Sequence, residues 1–207
     1  MDDACKPRVV KDPAQTKPEG WTRFVCFSDT HGFHGRIPEY HQPAADVLLH
    51  AGDFTMQGEI AKVQSFAEWL KAYPAREKLV IAGNHDLSFD PAYCLSHMQK
   101  TSMCEEAKAA LEGSCRYLED EMVEVLGYHI YGSPWQPEFC SWAFGLPRGE
   151  PLAQVWEKMP DRVDVLMTHG PAHCILDLCS SGIHAGCEEL LKAIRPMALK
   201  KLGRHSS

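Results

Sequence analysis

The sequence predicts an α/β domain, and three observations carry that expectation. Short apolar runs rich in β-branched residues recur at Arg23–Ser28, Asp46–His50, Lys78–Ala82 and Val163–Met167, each closed by polar residues and, shortly after, by glycine. Runs of this length fit strands buried on both faces of a covered sheet. Between the second and third, Ile60, Val63, Phe66, Ala67 and Leu70 recur at helical spacing beside polar Glu59, Lys62, Gln64 and Glu68, the stripe of an amphipathic helix over 57–72. The composition, 44% hydrophobic and 24% charged over 207 residues, is that of a folded globular chain of one domain or two small ones.

Taken in order, residues 1–20 are rich in Lys, Asp and Pro without apolar periodicity and read as a flexible tail. A single domain is expected over 21–207. Beyond the helix at 57–72, helical stretches are expected at Met103–Leu111 and Gly186–Ile194. Met122–Leu126 and Tyr128–Tyr131, hinged on Gly127, read as a hairpin.

Bulk properties remove several function classes. The formal net charge is −7, which supplies no field for phosphate backbones or anionic lipid, so nucleic acid is an improbable partner. No apolar run approaches the length of a membrane span. The start, MDDACKPRVVKDP, has no apolar core behind a basic head. The nine cysteines are scattered and lack zinc-site spacing, so they read as small buried hydrophobes in a reducing, cytoplasmic compartment.

The chemistry lies where the apolar runs end. They close in Asp29-Thr30-His31, Gly52-Asp53, Gly83-Asn84-His85-Asp86 and Thr168-His169-Gly170. Loops after the carboxyl ends of strands in an open α/β sheet converge on one crevice. Asp29, His31, Asp53, Asn84 and His169 together offer carboxylate, imidazole and amide oxygen but no thiolate, a donor set suited to Mn²⁺, Fe²⁺ or Zn²⁺. Singly, each motif is as well explained as a turn or helix cap. Four in succession, each ending a strand, are not.

These motifs, in this order, resemble those of calcineurin-like metallophosphoesterases. Gly132-Ser133-Pro134-Trp135-Gln136-Pro137, with Trp142-Ala143-Phe144 and Leu146-Pro147-Arg148-Gly149, are similar to the small metallophosphoesterase-domain-containing group. The resemblance implies a four-layer fold, two mixed β-sheets packed face to face and flanked by helices. It implies two divalent metal ions, with Asp29 and His31 on the first, Asn84 and His169 on the second, and Asp53 bridging both. It implies hydrolysis of a small phosphorylated substrate, a nucleotide or cyclic nucleotide being the best fit, by a metal-activated hydroxide. Manganese is the expected metal in vitro. Metals about 4 Å apart acidify a shared water and offset charge on phosphate oxygens. His85 is the candidate to protonate the leaving oxygen. Asp86 either orients that imidazole or serves as a turn cap.

The pattern departs from the family after Pro196. A Gly-His-x-His motif on a strand is expected there, whereas the text reads Met-Ala-Leu-Lys-Lys-Leu-Gly-Arg204-His205. The implied second sheet is therefore expected to be incomplete at this end. The alternative function is a weakly active or inactive homologue that binds metal or nucleotide and serves as an interaction protein. His173, His184 and His205 are candidate replacement ligands, although loop histidines are more often solvated. His50 reads as a buried group beneath the site. Trp135, Trp142 and Phe144 read as a satellite core, or as a stacking wall for a base.

Overall fold

The computed structural model describes residues 12, 13, 15–97 and 102–203. The strands are β1 (Phe24–Phe27), β2 (Ala45–Ala51), β3 (Ala75–Ile81), β4 (Arg116–Tyr117), β5 (Glu121–Val125), β6 (Tyr128–Ser133), β7 (Gln136–Pro137), β8 (Gly145–Leu146) and β9 (Val165–Thr168). The helices are α1 (Ile60–Ala72), α2 (Pro91–Ser96), α3 (Ser102–Leu111), α4 (Glu150–Trp156) and α5 (Glu188–Gly203). One sheet runs β1-β2-β3-β4 and is wholly parallel. The other runs β5-β6-β9, antiparallel then parallel, and β7 pairs with β8 in a small parallel ribbon.

Strand alternation builds the layers. Val47 and Leu49 of β2, with Leu79 and Ile81 of β3, face Val123, Val125, Ile130 and Met167 of the second sheet. Leu48 and Val80 point the other way, onto Val63, Phe66 and Leu70 of α1 and Ala107 and Leu111 of α3. Behind the second sheet, Tyr131 and Leu166 meet the stretch after α4 and Ala193 and Ile194 of α5. The order is helix, sheet, sheet, helix, as the resemblance implied. With both faces covered, β2 from Val47 to Leu49 and β3 from Leu79 to Ile81 have no exposed side to mark with polar residues, which is why these stretches read as continuous apolar runs. The start of β3, Arg76 to Lys78, is not fully covered and is polar.

Two details refine the expectations. The β5–β6 hairpin turns through Leu126 and Gly127, both at positive φ (51° and 83°), the geometry of a two-residue turn matched to strand twist. The helix expected to end near Ile194 instead runs on to Gly203 through Pro196. Proline removes one backbone hydrogen bond but need not end a helix whose neighbours are Leu, Lys and Ala. Arg204 and His205 lie outside the described residues, as does most of the segment read as a tail. At its end, Lys17 pairs with the Asp46 carboxylate and the Gln15 carbonyl accepts from Arg23, so residues 15–17 lie against the start of β1 and β2.

The core under the site is aromatic. Phe66 is fully buried, stacks on Phe54 at 4.5 Å between centroids and meets the His50 ring at 4.8 Å. Replacing Phe66 by Ala should cost about 3–5 kcal/mol through lost burial and an unfilled cavity. Denaturant titration of the variant checks this, and a loss under about 1 kcal/mol would mean that α1 collapses to fill the space.

Candidate metal centre

The loops after β1 and β2 are zipped together by their own backbones. Asp29 N–H donates to Gly52 O (3.0 Å), His31 N–H to Asp53 O (2.9 Å) and Gly32 N–H to Phe54 O (2.8 Å). Asp29, His31 and Asp53 all adopt positive φ (55°, 45° and 56°), a sparsely populated region for non-glycine residues that is retained where surrounding structure over-determines it. Two glycines permit the close approach. A Cβ on Gly52 would lie 2.6 Å from Gly83 N, and one on Gly83 would lie 2.3 Å from Asp53 Oδ1.

Asp86 is the knot of these loops. Its carboxylate accepts from Asp53 N–H (2.8 Å), Gly83 N–H (2.9 Å), Thr55 N–H (2.9 Å) and the Thr55 hydroxyl (2.8 Å). The side chain is fully buried. Burial pushes its carboxyl up to about 7, as does the nearby Asp53 charge, against hydrogen bonds that favour the anion. Of the two roles expected for Asp86, its hydrogen bonds are those of a turn cap. Its acceptor capacity is spent on the loops, and the His85 ring takes its hydrogen bond from elsewhere.

That partner is a backbone carbonyl, and the same holds for the other two imidazoles. Nδ1 lies 2.8 Å from Met56 O in His85, 3.2 Å from Thr55 O in His31 and 2.8 Å from Ala51 O in His169. A carbonyl can only accept, so each Nδ1 carries the proton and each Nε2 is free to act as a donor or proton carrier. All three Nε2 atoms turn to one carboxylate. His31 and His85 lie 3.8 and 4.0 Å from Asp53 Oδ2, and His169 lies 3.5 Å from Asp53 Oδ1.

The Asp53 carboxylate is buried, which by itself pushes its carboxyl up. The hydrogen bond and charge of His169, with His85, hold it below the usual carboxylate range instead. Burial pulls His169 down, but Asp53, helped by Ala51 O and Asp29, raises it to about 9. Without a metal, a proton on His169 balances the charge of Asp53.

Among the described residues, two groups have ligand atoms within 4.8 Å of one another: His31, Asp53 and His85, and Asp29, Asp53 and His169. Asp53 is common to both. Asn84 Oδ1 sits 3.0 Å from His169 Nε2. The five residues expected as ligands thus converge on Asp53, with Asp29 and His169 in one of its groups, His31 in the other and Asn84 against His169. Imidazole and carboxylate oxygen around one shared carboxylate suit a pair of divalent ions of borderline hardness.

The remaining candidates fall elsewhere. His173 and His184 converge on Asp177 (3.6 and 2.7 Å), and neither joins a group around Asp53. His50 is fully buried and meets the Thr30 hydroxyl at 3.1 Å. Trp135 donates to Asp120 (3.1 Å) and packs edge-on against buried Phe144, as the satellite-core reading holds. Trp142 instead meets the His85 ring at 4.0 Å between centroids. Sequence reasoning missed Thr55 altogether, although a small hydroxyl residue two places after Asp53 is a recognisable loop-bonding signal.

A model of the calcineurin-like phosphoesterase domain matches residues 22–202. The chain belongs to this family. It is 43% identical over 192 residues to human metallophosphoesterase domain-containing protein 1, covering 86% of this chain and 58% of that protein. It is 39% identical over 184 residues to UPF0046 protein C25E10.12 of Caenorhabditis elegans, covering 85% of this chain and 64% of that one. The chain therefore spans a little over half the length of these relatives. The crystal structure of TT1561 of Thermus thermophilus shares the fold at a TM-score of 0.55 and 15% identity, over 86% of this chain and 79% of that one. The family uses divalent metals, and the group around Asp53 supplies donors for them.

Asp86→Ala should leave three backbone donors unpaired in a dry loop, the Thr55 hydroxyl keeping the His85 carbonyl, and destabilise the fold by on the order of 3–5 kcal/mol. Thermal melting reads this directly. A variant that melts with the parent would show that the backbone zipper and glycines hold the loops without the carboxylate.

Proposed function

We propose that this calcineurin-like phosphoesterase is a metal-dependent phosphodiesterase or phosphatase, and that its substrate is a small phosphorylated compound, a nucleotide or cyclic nucleotide. The observation that carries the reading is the common design of three imidazoles, each tethered by Nδ1 to a carbonyl and each presenting Nε2 to Asp53. Asp29, His31, Asn84 and His169 would hold two divalent ions, manganese being the choice in vitro, with Asp53 between them. When bound, such ions supply Lewis acidity toward phosphate oxygens and an acidified water as nucleophile.

The chain's own residues do the rest. Asp53 gathers the donors, and its left-handed backbone, fixed through Asp86, aims the carboxylate into the crevice. The Ala51, Thr55 and Met56 carbonyls fix the imidazole tautomers, so no ring must turn to present a lone pair. His85 Nε2 holds a proton for the leaving oxygen. Its 4.0 Å from Asp53 is close to the 3.8 Å of His31, so the two roles are separated by metal content rather than by geometry.

Asp53→Asn should abolish metal-dependent turnover of bis-p-nitrophenyl phosphate and lower metal content together. A variant with parental kcat and metal stoichiometry would sink the shared-carboxylate reading, whereas no metal-dependent turnover in the parent itself would favour a homologue that acts by binding alone. His85→Ala should lower kcat by roughly 10²–10⁴-fold while retaining metal. Loss of metal in that variant would make His85 a ligand.

The His169–Asp53 pair also fixes a pH dependence. His169 rises from its ordinary 6.5 to about 9, so the stability this pair gives the metal-free protein is full below about 6.5 and is lost as pH rises through about 9. Metal must displace the same proton. Affinity for Mn²⁺ should rise over that window with proton release, which calorimetry in buffers of differing ionisation enthalpy measures. A flat profile would place the metal away from His169.

A further inference from the structure

The imidazole of His85 lies between two rings. His31 meets it at 4.5 Å between centroids with planes at 75°, and Trp142 meets it from another side at 4.0 Å and 65°. Nδ1–H donates to Met56 O (2.8 Å), Nε2 lies 4.0 Å from Asp53 Oδ2, and the residue's backbone N–H donates to Asp53 Oδ1 (2.8 Å). His31 is anchored in turn through Thr55 O (3.2 Å). Trp142 comes from a different part of the chain, the loop between β7 and β8.

That loop has an unusual backbone and a specific anchor. Cys140, Ser141 and Phe144 adopt positive φ (54°, 53° and 55°), a region that non-glycine residues keep only where the surroundings demand it. Phe144 N–H donates to Asp90 Oδ2 (2.8 Å), while Asp90 Oδ1 caps α2 through Ala92 N–H (2.9 Å) and Tyr93 N–H (3.2 Å). Asp90 lies four residues past Asp86 and is buried. The loop that carries Trp142 is thus fastened to the same stretch of chain that carries His85. Strain and anchor together set one indole against one imidazole.

We propose that Trp142 is a positioning residue for the reaction: it closes the outer side of the His85 ring and keeps Nδ1–H on Met56, so that Nε2 faces Asp53 and the leaving oxygen. The proposal rests on the reading of His85 as leaving-group acid. An imidazole hydrogen-bonded at one nitrogen can still swing about its ring torsion, and a flipped ring presents carbon where the proton should be. Edge-to-face packing against a ring as large as indole removes that freedom without adding a competing hydrogen bond. A misplacement of about 1 Å is enough to cost on the order of 10²-fold in rate.

The test uses the full chain loaded with Mn²⁺ and two matched diesters, bis-p-nitrophenyl phosphate and diphenyl phosphate, which differ in leaving-group quality. Trp142→Leu should lower kcat for diphenyl phosphate by roughly 10–100-fold, with KM nearly constant and metal content retained. Loss on the nitrophenyl ester should be much smaller, because a good leaving group needs little proton donation. Trp142→Phe should recover most of the rate. Trp142→Met replaces the Leu variant if the latter melts low. In protein labelled with ¹⁵N-histidine and loaded with diamagnetic Zn²⁺, the His85 signal, assigned by its loss in His85→Gln, should show Nδ1 protonated throughout a pH titration, with Nε2 alone gaining and losing its proton, in the parent and the Phe variant. In the Leu variant it should show averaged tautomers.

Equal losses on both esters, or an unchanged His85 signal in the Leu variant, would overturn the proposal. So would a KM increase confined to nucleotide substrates, which would make Trp142 a wall for a base. If His85→Gln shows no dependence on the leaving group, the acid reading itself has failed. The nitrogen spectra then decide alone whether Trp142 holds the ring.

Discussion

A carboxylate without access to solvent holds this site in shape. Asp86 gathers donors from the loops after β2 and β3 into one point, through the backbone of Asp53, Gly83 and Thr55 and the Thr55 hydroxyl. Those are the loops that must pass close together for Asp53, Asn84 and His85 to share a crevice. Backbone N–H groups in such a place have no strand to pair with and no water to reach, and leaving them unpaired would cost more than any one contact returns. The left-handed conformation of Asp53 persists because its N–H is spent on Asp86 and its carbonyl on His31.

With the loops fixed, their carbonyls become reagents of a kind. Ala51, Thr55 and Met56 lie on one short stretch either side of Asp53, and between them they tether all three site imidazoles. One segment thus supplies both the shared carboxylate and the acceptors that choose each tautomer. Such partners control ligand basicity and orientation as firmly as the ligands themselves. Shifting this stretch by one residue would misplace every imidazole at once, which couples local packing to chemistry.

The legible part of the molecule was the part written in apolar runs. The strands β1, β2, β3 and β9 announced themselves by β-branched residues, and their polar closures marked Asp29, His31, Asp53, Asn84, His85 and His169, because the carboxyl ends of β1, β2 and β3 in one sheet and of β9 in the other open on the same crevice. Asp86 stayed ambiguous because a carboxylate after Asn-His looks the same whether it faces an imidazole or a ring of N–H groups. The closeness of Asp29 and His169 was illegible for a different reason: they follow strands of different sheets and meet through the face-to-face packing of the two sheets, which no single apolar run records. The reach of α5 to Gly203 defeated the sequence because Pro196 is a stop signal by local rules, and here the helix continues past it. Trp142 carried a motif but no geometry until the strained loop between β7 and β8 placed it on His85.

His50 shows how the same constraint reaches below the site. A fully buried polar ring packed edge-on against the stacked Phe54 and Phe66 would be costly if charged, and burial, with His34 and His169 nearby, lowers it to about 3. It is therefore neutral at any working pH. A leucine there would fill the core equally well but would leave the Thr30 hydroxyl without its 3.1 Å partner. The neutral imidazole ties the turn between Asp29 and His31 to β2 without placing a cation beneath a centre that must accept cations. The core thus supports the left-handed turn through a hydrogen bond rather than a charge, and the electrostatic field at Asp53 is left to the groups that face the crevice.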